Sequence, residues 1–336
     1  MKKLFLAGGL AALLVAGWVT WLASRPGQRA VVPPPPASAP GAQPAAAIPA
    51  APAAGTLAAQ TARTPAAGSN DLLAVVVGVS GAPFAARQAA LRTLRPPLTP
   101  EEVAAVYAYL RDDTPHPATL PGGEHVLKND LLALLTRQEP PPEGLLRELV
   151  SLSRDPSQNA VVRDYALQHL AQCAEQPTNR FSAGLDLAHA TLWEALSETS
   201  GTFAGTALLG LQRLAARDPG FATQRLDTAA VALARDPNAH PLSRTTALQV
   251  CAQRGLNAAL PEAVELAQTG ATLPLRAAAV AALGNLGRQG EAALLEQLQT
   301  DTNALLQHAA TASLKRLRAR LNTSNQPPVA LPTRTF

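Results

Sequence analysis

The sequence is poor in aromatic residues, which make up only 4% of its 336 residues. Apolar residues nevertheless reach 47%, so a hydrophobic core has to be built from Leu, Ala and Val. Leu and Ala are strong helix formers, whereas strands favour β-branched and aromatic residues. The composition therefore predicts an all-α protein.

Cysteine is almost absent, with only Cys173 and Cys251 in the chain. On the helical repeats described below they fall two repeats apart. Because neighbouring helices pack about 8–10 Å apart, the two sulfurs should lie roughly 20 Å from each other. A disulfide needs Cα atoms within about 7 Å. We therefore predict two small core residues and no disulfide.

Acidic residues are missing from both ends of the chain, since all 24 lie within residues 71–301. Residues 71–322 also hold 22 of the 28 basic residues, which gives this stretch a net charge of −2 although the whole chain carries +4. A slightly acidic domain lacks the positive surface that drives phosphate binding. We expect no nucleic-acid partner.

Patterns that carry chemistry are also lacking. The six histidines form no His-x-His, His-x3-His or His-Glu-x-x-His spacing, so the helical zinc arrangement is not predicted. Ser80 follows Gly78 but has Ala82 where a nucleophile elbow needs a second Gly. The glycines at 284, 287 and 290 follow a helix instead of a strand, and a helix end explains them. The sequence predicts no enzyme, no cofactor, no metal and no small-molecule substrate.

The N-terminus carries an uncharged apolar run at residues 4–23, after Lys2 and Lys3. Twenty helical residues span about 30 Å, which is the thickness of a bilayer core. A cleaved signal peptide is the alternative, but Trp21 fits poorly three residues before a cut at the end of the run. We predict that residues 1–24 are a single-pass anchor in the bacterial cytoplasmic membrane.

A segment rich in Pro and Ala follows the anchor, with ten prolines and no acidic residue in residues 25–69. Such a segment buries too little apolar surface to order itself, and its proline clusters favour an extended backbone. We predict a disordered linker that holds the rest of the chain on the periplasmic side, and a disordered tail at 323–336. Secretion after signal cleavage is the alternative location.

Residues 70–322 show helical periodicity with short breaks. A polar or small residue is followed at +3, +4 and +7 by small or apolar residues, which together line one face of a helix. Each such helix is preceded by another one, so the repeating unit is a helical hairpin with a loose period of 31 to 41 residues. The seven segments begin at Arg87, Lys128, Arg163, Ala204, Arg244, Arg276 and Gln307.

The breaks between these helices contain residues that cap or end helices. Arg-Asp-Pro occurs at 154–156, 217–219 and 235–237, where Asp can cap the next turn and Pro cannot continue a helix. Glycine at a helix end favours a left-handed C-cap. We expect such caps at Gly201, Gly255, Gly270 and Gly287.

The pattern resembles the HEAT-repeat family in its short bacterial form, called PBS-lyase HEAT-like, most clearly at TLPLRAAAVAALGNLG (272–287) and AVVRDYALQHL (160–170). The resemblance implies an α-solenoid of about six to seven hairpins. The alternatives are a TPR-like array and a helical bundle without repeats. Hydroxylases of this family carry repeated His-Glu pairs that hold iron, and this chain contains no His-Glu dipeptide.

The resemblance also implies a ladder of turn aspartates and basic residues along the stack. Asp155 with Arg163 and Asp236 with Arg244 match this ladder, each pair being eight residues apart. The fourth and seventh segments depart from it, since they begin with Ala and Gln.

Solenoids bind their partners on the extended surface of their second helices. We therefore predict a non-catalytic, membrane-tethered scaffold that mediates protein–protein interaction with an unidentified protein partner. The alternatives are an enzyme of lyase or hydroxylase type on a HEAT-like frame and a structural envelope spacer. The candidate contact residues on the second helices are Arg92, Asp164, Gln168, Arg213, Gln249 and Asn285. We expect Trp193 to be core and Tyr109 to be exposed.

Overall fold

The computed structural model describes residues 69–79, 81–114, 123–176 and 184–324. These residues form fourteen α-helices and one short 3-10 helix, and they contain no β-strand. The predicted all-α class is therefore confirmed. The chain divides into two compact units, residues 1–67 and 68–336, and every described residue belongs to the second.

The helices follow one another with short connections. They are α1 (Ser69–Val76), α2 (Phe84–Thr93), α3 (Pro100–Arg111), α4 (Gly123–Arg137), α5 (Leu145–Arg154), α6 (Ala160–Ala174), α7 (Leu185–Ala195), α8 (Phe203–Ala215), α9 (Thr223–Arg235), α10 (Pro241–Arg254), α11 (Leu260–Thr269), α12 (Leu273–Leu286), α13 (Glu291–Leu298) and α14 (Ala304–Ser324), with a 3-10 turn at Asn257–Ala259 before α11.

The helices pack in seven consecutive pairs, α1 with α2 through to α13 with α14. We call the odd-numbered member of each pair the first helix and the even-numbered member the second helix. Every second helix also packs against the second helix of the next pair, from α2 to α14. Among the first helices, α3 packs on α5 and α5 on α7. Contacts therefore run mainly between neighbouring pairs.

The core consists of the positions that the repeat pattern selected. Of the 21 residues at +3, +4 and +7 in the seven segments, 20 are buried. The exception is Thr311 on α14, which is exposed. Because α14 is the last described helix, no further helix pair in the described part of the chain covers that face. The pattern therefore identified the packing faces, and its one failure lies at the end of the array.

Aspartates organise the turns at the Arg-Asp-Pro breaks. The Oδ1 atoms of Asp155, Asp218 and Asp236 accept hydrogen bonds from backbone N–H groups two residues later, at 2.9, 2.8 and 2.9 Å. These bonds close tight turns after α5, α8 and α9, so the predicted capping role of the aspartates is confirmed.

The glycine predictions were only partly right. Gly255 ends α10 with φ of 69°, the predicted left-handed cap. Gly270 and Gly287 end α11 and α12 with negative φ; there a Cβ would come within 2.7 and 2.5 Å of the carbonyl oxygens of Leu266 and Leu283. Close approach to the backbone therefore favours glycine at these two positions. Gly201 lies before α8 and does not end a helix.

The described helices begin one residue inside the predicted linker and end two residues inside the predicted tail. The predicted transmembrane segment, nearly all of the linker and most of the tail lie outside the described residues. Among the helices that are described, none has both the length and the apolar character to cross a membrane.

Candidate interaction surfaces

Arginines near the start of four second helices bind the end of the preceding first helix. We call Arg87, Arg163, Arg244 and Arg276 the cap arginines. Their Nε–H groups donate to main-chain carbonyl oxygens of Val76, Ser153, Ala234 and Ala267, at 2.8, 3.0, 3.1 and 3.3 Å. The last carbonyl groups of a helix have no partner within the helix. Each cap arginine therefore joins the two helices of its own pair.

The same arginines also reach the next helix pair. Their outer nitrogens pair with Glu124, Glu198, Glu262 and Asp301 respectively. The expectation taken from the family was wrong in its choice of carboxylate. Asp155 and Asp236 turn toward backbone N–H groups, and the arginine charge is met by a carboxylate of the following pair. Each cap arginine thus contacts both helices of its own pair and a carboxylate of the next pair.

The first of these pairs lies in a buried cluster. Arg87 is 0% exposed and Glu124 is 17% exposed, and two Arg87 nitrogens bind the two carboxylate oxygens at 2.5 and 3.1 Å. Tyr109 donates its hydroxyl to Glu124 and accepts from Arg87 at 2.9 Å. Burial, followed by the bond to Glu124, raises the pKa of Tyr109. Tyr109 is half-buried, so the expectation that it is exposed was wrong.

Lys128 occupies the arginine position in the second pair and is also buried. Its Nζ donates to the carbonyl oxygen of Asp112 at 2.6 Å and lies 3.8 Å from the Asp113 carboxylate. Burial lowers the pKa of Lys128, and the two aspartates act in the opposite direction. Lysine therefore caps the first helix as the arginines do, but pairs with a carboxylate of its own helix pair.

The six candidate contact residues lie on five second helices, from α2 to α12. Arg92, Gln168 and Arg213 are exposed, and Gln249 and Asn285 are partly exposed. Asp164 is buried instead. The structure therefore spreads these residues along the row of second helices and does not gather them into one site.

Asp164 is turned into the contact between α6 and α8. Its Oδ2 accepts from the Thr202 hydroxyl at 3.0 Å and from Gln168 at 3.5 Å. Burial raises the pKa of its carboxyl, and hydrogen bonds from Thr206, Thr202 and Gln168 act against this. Asp164 therefore joins two second helices rather than presenting a charge to a partner.

Uncharged polar contacts join other second helices. His169 on α6 lies 3.2 Å from Asn129 on α4, and burial lowers the pKa of this histidine to about 4. Gln212 on α8 donates to Gln253 on α10 at 2.6 Å. Ser243, also on α10, accepts from the Gly205 amide at 3.2 Å. A Cβ at residue 205 would meet the Ser243 backbone at 3.0 Å, so glycine permits this close contact.

One face of α6 is open to solvent along its length. Val161, Tyr165, Gln168 and Gln172 follow one another at helical spacing, and all four side chains are exposed or partly exposed. Val161 is 41% exposed, as is Val126 on the neighbouring α4. We call these five residues the α4–α6 face. Exposed Val and Tyr side chains beside Gln are a composition found in protein interfaces, where Tyr is enriched and Lys, Glu and Asp are depleted.

The other side chains that could carry chemistry are isolated from one another or buried. Within the described ranges, no group of three or more His, Cys, Asp or Glu side chains is placed to hold a metal ion. Cys173 and Cys251 are buried thiols, and burial raises the pKa of the Cys251 thiol to about 12. Ser80 lies outside the described residues. The predicted helix-end role of the glycine-rich stretch holds for Gly287, which ends α12. It was wrong for Gly284, which lies within α12 against the Ser313 backbone.

A cleft between α7 and α9 was not predicted. Trp193 and Phe221 stack with ring centroids 5.9 Å apart, and the Arg225 guanidinium lies 4.0 Å above the Trp193 ring. Trp193 and Phe221 are each only partly buried, so the expectation that Trp193 belongs to the core holds for one of its faces. Little in the sequence indicates this cleft, because its residues come from two segments about 30 residues apart.

No protein-family model and no curated protein matches the sequence. Solved structures do match, among them human deoxyhypusine hydroxylase in complex with glycerol. That match has a TM-score of 0.33 and 17% identity, and covers 75% of this chain and 97% of the hydroxylase. At that similarity the match carries no argument about this protein.

Proposed function

We propose that the seven helix pairs form a HEAT-like α-solenoid that acts as a non-catalytic scaffold and binds another protein through its second helices. The observation that carries this proposal is the unbroken packing of each second helix on the next, from α2 to α14. Such packing places one face of many helices along a continuous surface. Surfaces of this kind are what solenoid proteins use for binding.

The side chains on this surface favour a protein partner. The α4–α6 face combines exposed Val with Tyr and Gln, and Gln249 continues the polar character on α10. Nucleic-acid binding needs clustered cations that release counterions from phosphates. Residues 71–322 carry a net charge of −2, which does not support such a role.

The location of the scaffold is proposed from the sequence. The apolar run at 4–23 suits a single-pass anchor in the bacterial cytoplasmic membrane, and the proline-rich linker suits a spacer that projects the helical unit into the periplasm. The helical unit would then bind its partner at a distance from the bilayer surface.

Site-specific photocrosslinking in intact membranes tests the scaffold. A photoreactive residue at Gln168 or Gln249 should crosslink to the same partner protein, because both positions lie on the proposed binding surface. The controls are Arg147 on α5 and Glu265 on α11, two exposed positions on first helices. Equal crosslinking from all four positions, or none from any, would favour the structural spacer instead.

Substitution of Tyr165 by Ala adds a second measurement. Tyrosine at the centre of an interface commonly contributes more than 1 kcal/mol, so we expect at least a fivefold loss of crosslinking efficiency at Gln168. Elemental analysis and an absorption spectrum of the purified full chain address the enzyme alternative. A stoichiometric metal or chromophore there would overturn the non-catalytic role.

A further inference from the structure

The packing of first helix on first helix seen from α3 to α7 does not continue from α7 to α9. α7 and α9 both pack on α8 but are not packed against each other in the way that α5 packs on α7. The space between them is a cleft of about 410 Å³ that is lined by Trp193, Leu196, Arg225, Thr228, Ala229 and Ala232. It continues past Phe221 along the start of α9. The small side chains of Ala229 and Ala232 leave this space unfilled.

The ion pairs that join the first helices stop where the cleft begins. Arg111, the last residue of α3, pairs with Glu148 on α5. Arg154, the last residue of α5, pairs with Glu194 on α7 at 2.5 Å. α7 ends in Ala195, so the series has no arginine to continue it toward α9.

Arg225 on α9 differs from Arg111 and Arg154, which pair with carboxylates. Its described contact is with the face of Trp193, and no carboxylate among the described residues lies within ion-pair distance of it. A guanidinium stacked on an aromatic ring keeps its N–H groups free at the edge of the plane. The cleft therefore offers two aromatic rings and a cation that pairs with no carboxylate in the described part of the chain.

This chemistry selects among possible occupants. The proline-rich linker of this chain or of a second copy carries three arginines and no acidic residue, so Arg225 opposes its binding. A nucleic acid would need several cations along its backbone, and the cleft supplies one. An open cleft suits an extended peptide segment better than a small molecule that needs to be enclosed.

We propose that the α7–α9 cleft is a docking site for an extended acidic segment of a partner protein. A carboxylate of the segment pairs with the Arg225 guanidinium, and an apolar side chain rests between Trp193 and Ala232. The site lies on first helices, whereas the proposed scaffold surface lies on second helices. The two proposals can therefore fail independently of each other.

The fluorescence of Trp193 provides a direct test. The chain has three tryptophans, so the full-length variant Trp18→Phe/Trp21→Phe in detergent reports on Trp193 alone. The probes are a twelve-residue peptide of four Glu-Pro-Leu repeats and a second peptide with Gln for every Glu. We expect the Glu peptide to shift the emission of Trp193 saturably, and the Gln peptide to bind at least tenfold more weakly.

Two substitutions and one control separate the contributions. Arg225→Gln should weaken the Glu peptide about tenfold, the effect of losing a charge-assisted hydrogen bond. Ala232→Leu should weaken both peptides by filling the cleft from an exposed lining position, with an unchanged circular dichroism spectrum. Lys315→Gln removes one exposed charge on α14 and should leave binding unchanged.

The outcomes decide the proposal. Equal binding of the two peptides, an Arg225→Gln variant that binds normally, or no binding at millimolar peptide would each overturn it.

A photoreactive residue at Thr228 then identifies the natural occupant in intact membranes. Crosslinks to an acidic segment of another protein support the proposal, whereas crosslinks to residues 25–69 of this chain refute it. If Gln168 does not crosslink to a partner but Thr228 still does, the proposed scaffold surface has failed and the proposed cleft has not.

Discussion

Replacement of Arg87 by Met is the sharpest test of how the helix pairs are joined. Methionine keeps much of the side-chain volume but removes the bond to the carbonyl oxygen of Val76 and both bonds to the carboxylate of Glu124. Arg87 is fully buried, so water cannot replace these bonds without opening the structure. Removing one partner of a buried ion pair costs about 3–5 kcal/mol, because the other charge is left without compensation.

The matched control is an exposed pair in the same protein. Arg318 and Glu296 lie 2.5 Å apart and are 60% and 51% exposed. Exposed ion pairs contribute about 0–1 kcal/mol. We therefore expect Arg318→Met to change the free energy of unfolding by less than about 1 kcal/mol, although the two pairs have similar geometry.

Urea denaturation of the full chain, followed by circular dichroism, measures both variants. Hydrogen exchange then locates the loss, which we expect in α1 to α4 because Arg87 and Glu124 join those pairs. The double variant Arg87→Met/Glu124→Gln should recover part of the cost, since it removes the uncompensated charge. If Arg87→Met costs no more than Arg318→Met, or the double variant recovers nothing, the ladder does not hold the pairs together.

Two further predictions follow from the packing of the second helices. Gly210→Ala should destabilise the protein by about 1–3 kcal/mol, because the new methyl group would lie 2.7 Å from the Cβ of Ala171. The control is Gly201→Ala, which should be close to neutral because a Cβ there meets nothing within 4 Å. Equal urea midpoints for the two variants would contradict the close contact at Gly210. His169 has a folded pKa of about 4, below its ordinary value near 6.5. The unfolded chain therefore binds the extra proton, and stability should fall as the pH drops from about 6.5 to about 4. Asp164, whose pKa is raised, acts in the opposite direction. Because His169→Gln removes the histidine contribution, the loss of stability between pH 7 and pH 4.5, measured by urea midpoints, should be smaller in that variant.

The helical faces were predictable because they depend on local spacing. Residues at +3, +4 and +7 share one side of any helix, so the core around segments such as Arg163 to Leu170 follows from the sequence alone. The exposed Thr311 shows the limit of this reasoning. Its position on its own helix is as predicted, but burial also requires a neighbouring helix, and a repeat pattern does not state where the array ends.

The ion-pair ladder was less predictable because its partners do not share a constant separation. Arg87 and Glu124 are 37 residues apart, whereas Arg244 and Glu262 are 18 apart. In the first pair the carboxylate is on a second helix, and in the other pair it is on a first helix. The reach of an arginine side chain permits both arrangements, so the sequence identified the cation without identifying its carboxylate.

The cap arginines also explain how the surface can differ from one helix pair to the next. Their bonds are made to main-chain carbonyl groups and to a carboxylate of the following pair, so they place few demands on the outward-facing side chains.

The fourth segment has Ala204 in place of the arginine, and there Ser243 of α10 bonds to the backbone of residues 201 and 205 instead. The second helices thus remain joined at this point, while the first helices α7 and α9 lack the arginine–glutamate pair that precedes them in the array. An array held together by its second helices can leave such a gap, and the gap exposes the aromatic face of Trp193 and the charge of Arg225. If the arginine–glutamate series is what closes the first-helix layer, then Leu196→Arg combined with Thr228→Glu, at two positions that line the cleft, should close it and abolish peptide-dependent Trp193 fluorescence. Retained binding in that variant would show that the opening depends on other features of the helix packing.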